Sequence, residues 1–132
     1  MYILTKISMY GRARVGEAVL GLAAHLGLKV QLCDDQDTPW DARDYDIVIP
    51  TPGLPPNNRA YAAENRVSEL DFAGSYIPPG FRVIAVTGTD GKSTVAWMLS
   101  QILVHLYGES QVYLSGNFDI PLSETVTKIL ES

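Results

Sequence analysis

Apolar residues in the first third of the chain follow two different spacings, one typical of strands and one of helices. Residues 3–10, ILTKISMY, form a short apolar stretch that predicts a strand. LKVQLC at 28–33 predicts a second strand, closed by Asp34 and Asp35. The segment between them is apolar at the helical period, at Val15, Ala18, Val19, Leu22, Ala23 and Leu26. The order strand, helix, strand predicts a βαβ unit, and the right-handed crossover rule makes its strands parallel.

One more strand is expected before the pattern changes. YDIVIP at 45–50 predicts this third strand. A helix at 60–64 and a short element near 67–76 then lead to Pro78-Pro79-Gly80, which is the best candidate for a domain boundary. We therefore predict two domains, the first at residues 1–79 and the second at residues 80–132.

The second of these segments repeats the order of strand, loop and helix. RVIAVT at 82–87 is typical of a buried strand, and QVYLS at 111–115 predicts another. Helices are expected from Lys92 onward and over 122–130. This alternation predicts an α/β fold class with a Rossmann-like, mainly parallel sheet and flanking helices. Because two strands bury little surface, we expect this second unit to pack on the first or to belong to a larger domain.

Composition narrows the classes of partner. The 132 residues carry a net charge of −5 and show no basic stripe, so we expect no nucleic-acid partner. No apolar run approaches the ~20 residues that span a bilayer, and no signal peptide is visible, so we expect no membrane partner. The single cysteine, Cys33, excludes an internal disulfide and fits a reducing cytosol, which predicts a cytoplasmic protein.

The stretch V-T-G-T-D-G-K-S-T at 86–94 has the layout of a phosphate-binding loop. Its glycines allow backbone N–H groups to approach phosphates, and the following helix N-terminus favours an anion. In this layout Lys92 reaches the terminal phosphates and the Ser93 hydroxyl binds Mg²⁺. The standard motif has a glycine where this chain has Val86, so an ordinary strand–turn–helix is the alternative.

A second glycine loop, G-R-A-R-V-G at 11–16, joins the first predicted strand to the first helix. This is the setting of a Rossmann-type phosphate loop, although Ala13 stands in the place of the middle glycine. Asp34 and Asp35 could accept hydrogen bonds from a sugar or a base. A bound dinucleotide and a tight turn without any ligand both remain open, and Arg12 and Arg14 either contact a diphosphate or are solvated.

Two further loops follow predicted strands. T-P-G-L-P-P at 51–56 is stiffened by its prolines, and its simplest interpretation is a strand terminator. S-G-N-F-D-I-P at 115–121 offers the Asn117 amide to a substrate. The alternative is a turn with Pro121 in the first turn of a helix.

Taken in order, these motifs resemble the Mur ligase family. The loop at 86–94 is similar to the family's ATP loop, hydrophobic-[ST]-G-[ST]-x-G-K-[ST]-[ST], which also lacks the first glycine. The full series of motifs resembles most the type that adds D-glutamate to UDP-N-acetylmuramoyl-L-alanine, and this resemblance covers essentially the whole chain. The MurC, MurE and MurF types share the ATP loop but look less like the loops at 51–56 and 115–121.

The resemblance implies two sets of binding residues. The UDP-substrate-binding set is Gly11, Arg12, Ala13, Arg14, Asp34, Asp35, Thr51, Pro52, Gly53 and Asn117. The ATP-binding set is Gly88, Thr89, Asp90, Gly91, Lys92, Ser93 and Thr94, with Lys92 as the catalytic residue and Ser93 as the metal ligand. Departures from the family's common forms at Ala13, Asp35-Gln36, Asp90 and Asp119 leave the contacts of those residues open.

The resemblance also implies a reaction, an ATP- and Mg²⁺-dependent amide ligation in peptidoglycan precursor synthesis. A substrate carboxylate attacks the γ-phosphate to give an acyl phosphate, and the amine of D-glutamate then displaces phosphate. The family needs further groups, which the remainder of the ligase must supply as missing domains or as a second chain. We therefore expect no ligation by this chain alone. A stand-alone module that binds a nucleotide or a UDP-sugar is the alternative.

Overall fold

A computed structural model describes residues 5–116 and 120–132 of the chain. Its strands are β1 (Lys6–Tyr10), β2 (Lys29–Cys33) and β3 (Ile47–Pro50). Its helices are α1 (Arg14–Leu26), α2 (Glu69–Gly74), α3 (Lys92–Tyr107) and α4 (Leu122–Glu131). Short 3₁₀ turns occupy Ala42–Asp44, Arg59–Ala62 and Glu109–Gln111. Within the described ranges, no helix is both long and apolar enough to cross a membrane.

The strands form one parallel sheet in the order β2-β1-β3. In register, Ile7 of the central strand lies opposite Val30 on one side and Ile47 on the other. Helix α1 makes the crossover from β1 to β2 and ends at Gly27, whose φ of 70° is in the left-handed region that favours glycine. The predicted α/β fold class, with a parallel Rossmann-like sheet and flanking helices, is confirmed.

The central strand of the sheet is buried on both faces, as expected for a parallel strand. Helices α1, α2 and α4 cover one face around a core of Ile7, Met9, Val19, Leu22, Ile49, Phe72, Ala73 and Val126. The 3₁₀ turns Ala42–Asp44 and Arg59–Ala62, with neighbouring loops, cover the other face around a smaller cluster of Tyr10, Cys33, Val48, Ala60 and Ala63. The central strand therefore has buried side chains at four of its five positions.

Helix α4 completes the first of these layers by packing against α1 and α2. Its N-terminus lacks a side-chain cap from Pro121, and the buried Glu69 of α2 fills that role. Oε1 of Glu69 accepts hydrogen bonds from the Ser123 backbone N–H at 2.6 Å and from the Ser123 hydroxyl at 2.7 Å. A helix expected in the second predicted domain thus lies on the first unit, and the division at residue 80 stays a prediction.

The predicted strands at 82–87 and 111–115 are wrong, because neither segment belongs to a strand of the described chain. The first was also expected to be buried, yet the exposed fractions of Val83 and Ile84 are 67% and 59%. β-branched residues favour a strand only where a neighbouring strand accepts their hydrogen bonds and packs on their side chains. The helix expected at 60–64 is also corrected, to the 3₁₀ turn Arg59–Ala62.

Candidate functional site

The loops that follow the three strands meet at one edge of the sheet, because the strands are parallel. The Gly11 N–H donates to the Cys33 carbonyl at 2.8 Å, and the Thr51 N–H donates to the Tyr10 carbonyl at 2.8 Å. These two bonds continue the sheet into the loops. The structure therefore brings together the residues predicted to bind the UDP substrate at 11–14, 34–35 and 51–53.

Gly11 is the point of closest approach between two of these loops. Its φ is 113°, and a Cβ built there would lie 2.1 Å from Cγ2 of Thr51. At the other end of the glycine loop, a Cβ on Gly16 would lie 2.8 Å from the Gly11 carbonyl oxygen. Side chains at either position would force the loop away from β3 or from α1. The middle position is different, since Ala13 is exposed and has an extended φ of −151°.

The site also holds an unsatisfied hydroxyl. Thr51 is 6% exposed, and its Oγ1 has no hydrogen-bond partner among the described residues. Buried hydroxyl groups in folded proteins nearly always have a partner, because leaving one without a partner costs about 1–3 kcal/mol. Ala13 gives no side-chain cap to the N-terminus of α1. The uncapped N-terminus of α1 leaves backbone N–H groups open to a ligand on the glycine loop, which also contacts Thr51.

Arg12 and Asp34, both predicted to bind the UDP substrate, contact each other. Nε of Arg12 lies 2.5 Å from Oδ2 of Asp34, and Oδ1 of Asp34 accepts from the Gln36 N–H at 2.9 Å. The hydrogen bond from Arg12, followed by that from Gln36, lowers the pKa of the Asp34 carboxyl group. The neighbouring Arg14 pairs with Glu124 of α4 at 3.2 Å.

Asp35 is held by the central strand and by the loop that follows β3. Its Oδ1 accepts from the Tyr10 hydroxyl at 2.5 Å and from Nδ2 of Asn58 at 3.0 Å. The hydrogen bond from Tyr10 is the main cause that lowers the pKa of Asp35. Burial, and then this same bond, raises the pKa of Tyr10. Both hydrogen bonds favour the charged form of the Asp35 carboxyl group.

Sequence reasoning missed the residue that connects these loops, Arg59. Its Nε donates to the Tyr10 hydroxyl at 2.8 Å, and its Nη2 donates to the carbonyls of Asp34 and Asp37 at 3.1 and 2.8 Å. The guanidinium carbon lies 5.0 Å from the centre of the Trp40 ring. Arg59 follows a polar Asn-Asn turn, and nothing in that local pattern distinguishes it from a solvated arginine. The contacts depend on the tertiary fold.

Trp40 and Tyr45 were also not predicted to matter near this edge. Nε1 of Trp40 donates to the buried Ser8 hydroxyl at 3.2 Å, and the Trp40 and Tyr45 rings stack with centroids 6.3 Å apart. Burial, followed by the hydrogen bond with Cys33, raises the pKa of Tyr45 to about 12. Ser8 and Tyr45 thus hold the Trp40 ring in the place where it faces the Arg59 guanidinium group.

The predicted ATP loop at 88–94 is mostly exposed. Gly91 immediately precedes α3 with a φ of 73°, and α3 has no side-chain cap at its N-terminus. Nζ of Lys92 donates to the Gly88 carbonyl at 3.4 Å, a long and exposed bond. In the described part of the chain, no three His, Cys, Asp or Glu side chains come together as a metal site. Asn117, predicted to contact the substrate, lies outside the described residues.

Known proteins similar to the chain are ligases. The chain is 35% identical over 130 residues to a UDP-N-acetylmuramoylalanine–D-glutamate ligase of Aquifex aeolicus, covering 92% of the chain and 30% of the relative. It is 32% identical over 127 residues to the ligase of that name from Francisella tularensis strain WY96-3418, covering 89% of the chain and 30% of the relative. The predicted resemblance to the D-glutamate-adding Mur ligases is confirmed. The similarity to these Mur ligases takes in both halves of the chain rather than a single motif.

The chain spans about 30% of the length of the Mur ligases that it matches. No protein-family model matches the chain. No solved structure matches it either.

Proposed function

We propose that the chain is the N-terminal part of an ATP-dependent amide ligase of peptidoglycan precursor synthesis. The ligase would add D-glutamate to UDP-N-acetylmuramoyl-L-alanine through an acyl phosphate. The observation that carries the proposal is the meeting of three predicted substrate loops around the unsatisfied Thr51 hydroxyl, in a chain similar to D-glutamate ligases. The segment at 1–79 would be the UDP-substrate domain, and 80–132 the start of the ATP-binding domain.

The UDP compound would bind across the sheet edge. Its diphosphate would lie against Gly11 to Arg14, where the N-terminus of α1 and two guanidinium groups favour an anion. To contact the diphosphate, Arg12 must exchange at least part of its bond with Asp34. Asp34 and Asp35 would serve the nucleoside, Thr51, Pro52 and Gly53 would close over the diphosphate and sugar, and Asn117 would contact the muramoyl part.

ATP would bind at 88–94, and the residues there fit a phosphate group. The uncapped α3 N-terminus leaves backbone N–H groups for phosphate oxygens, and Gly91 keeps the approach open. Among the described residues, the Lys92 ammonium has a single, long bond to the Gly88 carbonyl to give up, and it would neutralise charge on the terminal phosphates. Ser93 would contribute its hydroxyl to Mg²⁺, whose other ligands would be phosphate oxygens and groups from the rest of the ligase. ATP supplies the phosphoryl group that activates the substrate carboxylate.

The remaining parts of the active site would come from the rest of the ligase, as further domains or as a second chain. The chain spans about 30% of the length of its relatives, which supports this assignment of the remaining groups to the rest of the ligase. We propose a cytoplasmic setting, where UDP-linked precursors and ATP are both present and the single Cys33 stays reduced.

Calorimetric titration of the chain with UDP-N-acetylmuramoyl-L-alanine tests the proposal. We expect saturable one-to-one binding of this compound, weak or absent binding of ATP·Mg²⁺, and no addition of D-glutamate. The matched variant is Thr51→Val, which keeps the shape but removes the unsatisfied hydroxyl, and it should bind the UDP compound about tenfold more weakly. Binding of neither ligand would overturn the proposal. Tight ATP binding without UDP-compound binding would favour a nucleotide-binding module instead.

A further inference from the structure

The loop after β2 is clamped by residues that come from the far side of the sheet. In the order β2-β1-β3, the strand β1 separates the β2 loop at 34–37 from the turn after β3 that carries Asn58 and Arg59. Both side chains reach across the end of β1 to that loop. The turn is itself anchored, because Ala60 is fully buried and its N–H is capped by Oδ1 of Asn58 at 2.9 Å.

Arg59 is the main part of this clamp. It donates to two backbone carbonyls of the loop, at Asp34 and Asp37, and to the Tyr10 hydroxyl. Its guanidinium group also lies over two rings, 5.5 Å from the centre of Tyr10 and 5.0 Å from that of Trp40. A lysine could not reproduce this set of contacts, because it lacks the planar fork that serves several acceptors while stacking on a ring.

The clamp determines which carboxylate the loop offers to a ligand. Both oxygens of Asp34 are engaged, Oδ2 by Arg12 and Oδ1 by Gln36. Asp35 is exposed, and its two donors, Tyr10 and Asn58, both bond Oδ1. The Oδ2 of Asp35 has no hydrogen-bond partner within residues 5–116 and 120–132. A charged acceptor, fixed at one oxygen and open at the other, suits a ribose hydroxyl or an N–H of a pyrimidine base.

We infer that Arg59 is a positioning residue for nucleoside recognition, holding the 34–37 loop so that Asp35 presents Oδ2 to the uridine of the substrate. This inference rests on the proposed function, since it assigns a specificity role within the same UDP-compound site. Arg59 acts through the loop and through Tyr10 and does not itself contact the ligand. Its loss should therefore weaken recognition of the nucleoside while sparing contacts to the diphosphate.

The test compares UDP with ADP, two ligands that share a diphosphate and differ in the base. Calorimetric titrations are made with the whole chain, its Arg59→Lys variant, and Arg43→Lys as the matched control. Arg43 is an exposed arginine whose side chain pairs with Asp41. We expect the parent chain and the control to prefer UDP by about tenfold or more, and Arg59→Lys to lose most of that preference with ADP affinity unchanged.

A preference for UDP that is the same in Arg59→Lys and the parent would overturn the inference and leave the proposed function intact. Absence of UDP binding by the parent chain would instead count against both, and is seen before any variant is made. If Arg59→Lys does not fold, Asp35→Asn serves, because it keeps an acceptor for Tyr10 and Asn58 but can turn a donor toward the ligand. Asp35→Asn should bind UDP about tenfold more weakly, and equal affinity would overturn the inference.

Discussion

Helices α1 and α3 begin in the same way and end in different surroundings. Each follows a glycine loop, and they contain 13 and 16 residues. Val19 and Leu22 of α1 are fully buried, whereas Ile102 and Leu106 of α3 are 56% and 63% exposed. Helix α1 lies on a paired sheet, and α3 does not, because residues 82–87 form no strand in the described chain. A helix can form from local signals, but the burial of its apolar face requires a packing partner, which for α1 is the sheet.

Large apolar side chains are exposed both on α3 and in the segment that precedes the ATP loop. Phe81, Val83 and Ile84 precede the ATP loop and are 44–67% exposed, and Val95, Trp97 and Met98 on the helix are 51–54% exposed. Apolar surface of this extent usually marks a contact with another part of the protein. Under the proposed function, the rest of the ATP-binding domain would cover it.

The largest expected difference between the two helices is in the cost of removing a leucine. Leu22→Ala should lower the free energy of unfolding by about 2–5 kcal/mol, since it leaves a cavity in the core beneath α1. Leu106→Ala makes the same chemical change at a mostly exposed position of α3 and should cost less than about 0.5 kcal/mol. Urea unfolding followed by circular dichroism measures both. Equal effects would mean that α3 is packed as well as α1.

The glycine loop of the packed unit offers a second comparison. Gly11→Ala should destabilise the protein by about 2–4 kcal/mol, because its Cβ would overlap Thr51 at a positive φ. Gly21→Ala is the matched change within α1, where a Cβ meets nothing within 4 Å. It should stabilise the protein by about 0.5–1 kcal/mol through helix propensity. Thermal unfolding of the two variants measures both changes in stability. A neutral Gly11→Ala would contradict the close contact of the loops.

The attachment of α4 to the packed unit depends on a buried carboxylate. Glu69→Ala should cost about 1–3 kcal/mol, because the Ser123 N–H loses its acceptor in a buried place. The control Glu64→Ala removes an exposed glutamate from the same part of the chain and should be close to neutral. Chemical unfolding monitored by circular dichroism compares them. No loss of stability in Glu69→Ala would show that α4 is held by its apolar contacts alone.

The smallest effect is expected from acid. The hydrogen bond from Arg43 lowers the pKa of Asp41 to about 2 from an ordinary 3.8. A carboxyl group with a depressed folded-state pKa stabilises the protein above its unfolded pKa, and this contribution is lost as the pH falls through the folded value. The melting temperature should therefore decline between about pH 4 and pH 2, and Asp41→Asn should flatten part of that decline. An unchanged slope in the variant would show that the Asp41–Arg43 pair adds no stability.

Several parts of this molecule follow from local sequence, and others do not. The βαβ unit was predictable because the apolar spacing, the glycine at 27 and the loop at 11–16 all favour the same structure. The strand at 82–87 was not, because its apolar run is compatible with a buried strand but cannot report whether a partner strand is present. The role of Arg59 could not be predicted for a related reason, since its backbone acceptors lie 25 and 22 positions away in the chain.

Amide hydrogen exchange of the chain, with and without UDP-N-acetylmuramoyl-L-alanine, shows both which helix is packed and where the UDP compound binds. In the free chain, we predict slow exchange in β1, α1 and β2, because the two strands are paired in the sheet and α1 packs on it. We predict much faster exchange in α3, which does not pack on that sheet. Addition of the compound should slow exchange at 11–16, 34–37 and 51–53 and leave 88–107 unchanged. Protection that appears at 88–94 instead would contradict the proposed place of UDP-compound binding. Amides of α3 that exchange as slowly as those of α1 in the free chain would contradict the difference in packing between the two helices.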